Sequence, residues 1–362
     1  MTKARTNASV APAVGRNMVI NGAMNVAQRA TSVTGLGAAN AYAALDRWAI
    51  AATGTAGRMT MTQTADGPNG ISANCLKLDC TTADASIAAG ELMVLRQRFE
   101  GLNIQRIGKG VVGAKQVTVS FYVKASASFT FGCELFDVTA ERQCTKLFST
   151  TTDWVRHEII FPADVDDGSS PFNDDNSAEL FLSFILHAGS TFTSGNLNTS
   201  IFNNLSSANR APGIDSFFSN TANNFFITGV QMEVGPVATE FEQEQISTTL
   251  SKCQRYYHKL VADSAFTTLG RAAASTATAS VINPLGTYNM RAVPSLDSTA
   301  ASTFLMQAAN ANETVSAIAI NSHASRQSPQ LDITNSSTTA GFAGTLIANN
   351  ATSSYIAFDA EL

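Results

Sequence analysis

ITGVQMEVGPVATEFE, residues 227–242, is where the chain changes character. Its first half sets Val230, Met232 and Val234 against Gln231 and Glu233, the period of two expected of a half-buried strand. Gly235-Pro236 ends that alternation. Thr239 then stands three residues before Glu242, a capping-box spacing that predicts the start of a helix. Glu240, Glu242 and Glu244 sit near that start, and Lys252, Arg255, His258 and Lys259 near the far end. Charges so placed complement the helix dipole by about 0.3–1 kcal/mol each. Ile246, Leu250, Cys253 and Tyr257 form an apolar stripe, so a linking helix is expected over residues 239–260.

Upstream of this junction the chain is repeatedly strand-like. RMTMTQT (58–64), Cys75–Cys80, QVTVSFYVK (116–124), Phe129–Asp137, Cys144–Ser149, Trp154–Phe161, Glu179–Leu186 and Phe225–Val234 alternate and are rich in β-branched and aromatic residues. A turn near Thr139–Arg142 makes hairpin partners of the fourth and fifth. No helical pattern separates these segments, which implies an antiparallel sandwich over residues 46–238. Residues 1–45 read as an arm and attachment segment, with Lys3, Arg5 and Arg16 but no apolar run of a signal peptide. Residues 189–224 read as a long Ser/Asn-rich loop.

Downstream, residues 262–362 hold nine charged side chains, and short alternating segments such as TVSAIAI (314–320), 330–334 and 354–358 recur between Gly, Asn and Ser. This predicts a smaller C-terminal β domain over 261–362. The fold class expected is therefore mainly β: an antiparallel β-sandwich, a linking α-helix and a second β domain.

Composition narrows the function. Charged residues are 14% of the 362, well below the roughly 25% of ordinary soluble domains, so broad neutral faces are available for contact with further copies. A net charge of −5 with scattered Lys and Arg argues against nucleic acid as partner. No apolar run reaches the roughly 18 residues that would insert in a bilayer. The five cysteines form no CxxC pair, which argues against zinc; Cys133 and Cys144 are read as buried thiols, with a disulfide across the hairpin as the alternative.

Catalytic signals are weak. Gly108-Lys-Gly-Val-Val-Gly113 matches GxGxxG but precedes a strand rather than a helix, so it reads as a turn. His157-Glu158 lacks a second histidine at 161. No GxSxG occurs, although a Ser-His-Asp triad needs no adjacency in sequence. Asp164, Asp166 and Asp167 before Gly168 read as a solvated acidic loop, with a structural calcium as the alternative. Trp48 and Trp154 read as structural anchors, and Tyr256 and Tyr257 as packing residues. Phe202, Phe217 and Phe218 are the expected surface aromatics of a ligand patch. No catalytic residue and no cofactor is expected.

GRNMVINGAMNVAQRATS (15–32), AYAALDRWAI (41–50), LRQRFEG (95–101), VTVSFYVKAS (117–126), TTDWVRHEIIFPAD (151–164), FFITGVQMEVGPVATEFE (225–242), CQRYYHK (253–259) and the closing IAFDAEL (356–362) resemble, in order, a family of bacteriophage tail-fibre and virion structural proteins. Position 27 departs from it, being Ala where an aromatic often precedes Gln-Arg. The resemblance implies a jelly roll like carbohydrate-binding modules, then a helix and a distal β domain. It further implies a homotrimeric appendage, assembled in the host cytoplasm, joined to other virion proteins through its N-terminal region and turned toward host-surface polysaccharide. An adaptor or capsid decoration without ligand, and a glycan-degrading virion enzyme, are the alternative functions.

Overall fold

A computed structural model describes residues 15–165, 171–286, 288–308 and 311–362. Lys3 and Arg5 of the expected arm, and Asp166 and Asp167 of the acidic loop, lie outside the described residues. The fold is mainly β, and the chain divides into two units, Met1–Ile246 and Ser247–Leu362.

In the first unit the strands follow as β1 Ser32–Leu36, β2 Ala41–Tyr42, β3 Ala49–Thr53, β4 Arg58–Thr64, β5 Cys75–Thr82, β6 Leu92–Glu100 and β7 Val117–Ala125. Then come β8 Thr130–Asp137, β9 Arg142–Ser149, β10 Val155–Phe161, β11 Ala178–Ala188, β12 Asn203–Asn204 and β13 Asn224–Val234. They build two antiparallel sheets, β1-β4-β5-β13-β7-β10 and β12-β9-β8-β11-β6-β3-β2. Their inward side chains form one core. Phe121 of β7 meets Phe184 of β11 edge to face at 4.9 Å, and Phe131 of β8 meets Phe225 of β13 at 5.7 Å. Such pairs add about 0.5–1.5 kcal/mol to area burial.

The eight expected strands are present, with ends shifted by a few residues at most. β3 and β6 escaped the alternation test. The first half of β6 is apolar on both faces, because the loop after β11 covers its outward Leu92 and Val94. A strand buried on both sides loses its period of two.

Residues 15–48 close one end of the sandwich around Asn21, a buried residue in the left-handed region at φ 59°. Its side-chain amide donates to the carbonyls of Val26 and Asp46, and its side-chain oxygen accepts from the amides of Asn25 and Val26. Its own carbonyl accepts the indole N–H of the fully buried Trp48. Gln97 of β6 ties the same segment down by accepting from and donating to the backbone of Ile20 at 2.8 and 2.9 Å. Both tryptophans thus keep structural roles, since Trp154 donates to the carbonyl of Asp66.

The expected helix over 239–260 is corrected. Only Ile246–Gln254 is helical, while Tyr257–Val261 is a strand. The capping box fails because the sandwich uses its parts. The Thr239 amide and hydroxyl donate to Glu233, and the Glu242 carboxylate accepts the amides of Gly15 and Asn17. The expected stripe dissolves accordingly: Ile246 is exposed and Tyr257 is buried in the strand.

The second unit carries β14 Tyr257–Val261, β15 Thr268–Ala274, β16 Ala279–Pro284, β17 Ser295–Ser298, β18 Phe304–Ala308, β19 Ala311–Ile320, β20 Leu331–Asn335, β21 Ala343–Ala348 and β22 Tyr355–Asp359. Six of them, β15-β16-β20-β19-β18-β21, close a barrel, and β14-β22-β17 form a separate sheet. Closure removes free strand edges. Ile282, Phe304, Met306, Leu331 and Ile333 fill this unit's own core.

All five cysteines are free and buried. Cys133 lies opposite Lys146 and Cys144 opposite Leu135, so the two thiols are not cross-strand partners. Burial pushes the Cys133 thiol well up, and those of Cys75 and Cys144 up to about 12. A thiol-specific reagent at pH 8 should therefore modify almost nothing in the native protein and five thiols after denaturation; a native protein reacting at once would contradict the burial. Asn21→Ala should destabilise the first unit by about 2–4 kcal/mol, since buried donors and acceptors lose their partners. Both tryptophans lie in that unit, so tryptophan fluorescence during urea unfolding follows it alone, and an unchanged midpoint would show that the Asn21 network is dispensable.

Candidate functional site

The outward face of the seven-stranded sheet departs from the usual solvated sheet face. Antiparallel pairing places residues directly opposite each other on one face, so its chemistry can be read row by row. One row runs Asn203 of β12, Gln143 of β9, Phe136 of β8, Phe181 of β11 and Arg98 of β6. The next runs Thr145, Glu134, Ser183, Arg96, Ala49 and Tyr42, from β9 to β2. A third holds Ile185, Val94 and Ala51 and is apolar.

The loop after β11 covers the apolar row. Its buried Ala211, with Phe192 and Ile214, packs on Ala51, Val94 and Ile185. The first two rows are instead overlaid by guanidinium groups. Arg96 lies 5.0 Å and Arg98 5.4 Å from the Phe181 ring centre. Arg98 and Arg29 both approach Tyr42, at 6.0 and 5.6 Å. Arg210 lies between the rings of Phe136 and Phe192, at 5.6 and 5.8 Å. A guanidinium over a ring gains about 0.5–2 kcal/mol, more as water is excluded.

Glu134 is the acid at the centre of these rows and is fully buried. Arg210 grips it with two parallel hydrogen bonds of 2.8 and 2.7 Å. Burial by itself would lower the Arg210 pKa, but Glu134 outweighs it and holds the guanidinium above its ordinary value. Arg96 stands differently. Burial pulls it down to about 10, partly offset by Glu134 and reinforced by the neighbouring charges of Arg98 and Arg210. The Arg96 Nε, Ser183 Oγ, Thr145 Oγ1 and Gln143 Oε1 atoms are buried without a hydrogen-bond partner, and all four belong to these two rows. Buried polar atoms are rarely left so, because each costs about 1–3 kcal/mol.

At the β12 edge of the same sheet lies a groove of about 640 Å³. Ile201, Phe202, Asn203, Asn204 and Asn209 line it beside the Arg142–Asp164 ion pair. Amides, a charged pair and one ring in an open groove can hold a polyhydroxylated ligand by hydrogen bonds and apolar contact.

These positions correct the sequence-derived site. Phe217 and Phe218 are fully buried in the sandwich core and present no ring face to a ligand; only Phe202 reaches the groove. The Phe pair sits inward because Ser216 anchors its short helical turn, accepting the Phe218 amide at 3.2 Å. Asp164 is not a solvated loop acid, since both its carboxylate oxygens accept from Arg142, at 3.1 and 2.9 Å. The GxGxxG segment is a turn, as expected, with Gly108, Gly110 and Gly113 at positive φ. Its Lys109 points inward and pairs with the buried Asp137. His157 lies on β10, where its Nε2 donates to the Ser149 carbonyl at 2.8 Å.

A second cluster joins Asp84, Glu91 and His187, whose ligand atoms lie within 4.8 Å of one another. His187 bridges Glu91 at 3.0 Å and the Ser216 hydroxyl at 2.7 Å. Asp84 accepts from the Thr55 hydroxyl and the Ala56 amide. Burial raises the Asp84 pKa, but these hydrogen bonds outweigh it and hold the carboxyl below its usual range. The cluster is a satisfied polar network that fixes the loops carrying it.

No protein-family profile matches the chain, and no curated protein does. Among solved structures, the enzymatically active domain of tailspike protein 4 of bacteriophage CBA120 aligns at 10% identity and a TM-score of 0.30, over 60% of this chain and 21% of that one. The family 11 carbohydrate-binding module of Clostridium thermocellum, in complex with a β-1,3-1,4-mixed-linked tetrasaccharide, aligns at 10% and 0.28, over 58% and 99%. The N-terminal cellulose-binding domain of Cellulomonas fimi β-1,4-glucanase C aligns at 16% and 0.27, over 52% and 90%. This chain thus spans about a fifth of the tailspike domain, and likenesses of this size carry no functional inference.

Glu134→Ala would leave the largely buried Arg210 guanidinium without its carboxylate. We expect a loss of about 3–5 kcal/mol in the fluorescence-monitored unfolding, and recovery of most of it in Glu134→Leu with Arg210→Met, which removes both charges. A single variant as stable as the parent would mean that the pair contributes nothing.

Proposed function

We propose that this chain is a non-catalytic structural component of a phage particle, a fibre-like appendage that assembles as a homotrimer and contributes to recognition of host-surface glycans. The observation that carries the glycan part is the outward face of the seven-stranded sheet: in-register rows of guanidinium, ring and amide groups leading to the groove at the β12 edge. Sugars are bound through such a mixture of stacking and hydrogen bonding. The virion role is supported by the sequence resemblance across residues 15–260. Sparse charge fits a surface that meets further copies of itself, and three-fold presentation would raise avidity even for a weak individual site.

Glycan-array binding by the full chain tests the recognition, with size-exclusion light scattering for the assembly. Binding to host-derived glycans by a species of three times the chain mass is expected. Silence across such glycans would favour an architectural adaptor or decoration, and new reducing ends on incubation with host polysaccharide would favour a glycan-degrading enzyme.

A further inference from the structure

Resting on the glycan-binding reading, we propose that the saccharide recognised by the outward rows is anionic, its carboxylate docking on Arg96 beside Arg98. Arg96 is half-buried on β6 and makes no ion pair among the described residues. Glu134, the acid in its own cross-strand row, is already held by both arms of the Arg210 fork. Arg98 lies over the same Phe181 ring and Arg210 over Phe136 in the adjoining row, so Arg96 has cations as well as Glu134 for neighbours.

The surroundings of Arg96 suit a carboxylate on a ring better than a free small anion. The Arg96 guanidinium, 5.0 Å from the Phe181 ring centre, carries the planar fork of donors that matches carboxylate geometry. Ser183 Oγ, in register with Arg96, is fully buried without a partner, so the polar row beneath the guanidinium is incompletely satisfied. A neutral glycan could meet the Phe181 ring but would bring the Arg96 guanidinium no counter-charge beyond the one it shares with Arg210.

Affinity electrophoresis of the full chain tests this with matched gels: polygalacturonate, the same polymer with its carboxylates reduced to hydroxymethyl groups, and inorganic polyphosphate. We expect retardation by polygalacturonate, weakening as salt rises from about 50 to 300 mM, and little by the reduced polymer. Arg96→Gln should weaken the polygalacturonate interaction about ten- to a hundredfold, as loss of a charged hydrogen-bond pair does. Arg96→Lys should retain part of it, and Lys252→Gln, in the other unit, should change nothing. Unchanged tryptophan fluorescence in each variant shows that the sandwich is intact. Equal binding of the acidic and reduced polymers, indifferent to Arg96→Gln, would overturn the anionic proposal while sustaining glycan recognition. Polyphosphate bound as tightly as polygalacturonate would reduce the face to a general polyanion surface and overturn it too. Binding to none of these and to no host glycan would sink both readings.

Discussion

Phe181 on β11 lies opposite Phe136 of β8 on one side and Arg98 of β6 on the other, and that pairing decides which side chains face outward. A strand's period is two, so a slip of one residue in β11 would turn Leu180, Leu182 and Phe184 out of the core and put Phe181 and Ser183 into it. The rings packed between the sheets forbid that slip. Phe184 is held by Phe121, Phe148 and Trp48 at once, so the register is secured from inside while its consequence appears outside.

The outward face then divides by chemistry. Where β6, β11 and β3 are apolar outward, the loop after β11 must cover them, and Ala211 and Ile214 do so. Where β6 turns to Arg96 and Arg98, no apolar cover is needed, and the guanidinium groups themselves lie across the rings. The same loop delivers Arg210 to Glu134 and Asn209 to the groove. Covering an exposed apolar row and building the polar rows are therefore one structural act.

The junction after β13 shows the competing pull of local and tertiary preference. Thr239 and Glu242 have the spacing of a helix cap, worth about 1 kcal/mol. The sandwich offers each of them stronger partners, Glu233 for the threonine and two backbone amides near residue 15 for the glutamate. Segments far apart in sequence thereby clamp one end of the sandwich, and the helix starts late.

Alternation of apolar and polar residues was sufficient to place eight strands of the sandwich and three of the second unit, β19, β20 and β22, because a half-buried strand writes its two environments into every other residue. The strand it places after Gly113 also sufficed to read GxGxxG as a turn. Residue type alone misjudged Phe217 and Phe218: a Phe in a Ser/Asn-rich loop reads as exposed, whereas Ser216 and His187 fold that loop inward. It likewise missed Arg96, Arg98 and Phe181, although all three are visible in the chain. What brings them together is cross-strand register between segments more than eighty residues apart, and register is set by packing in three dimensions rather than by any local pattern.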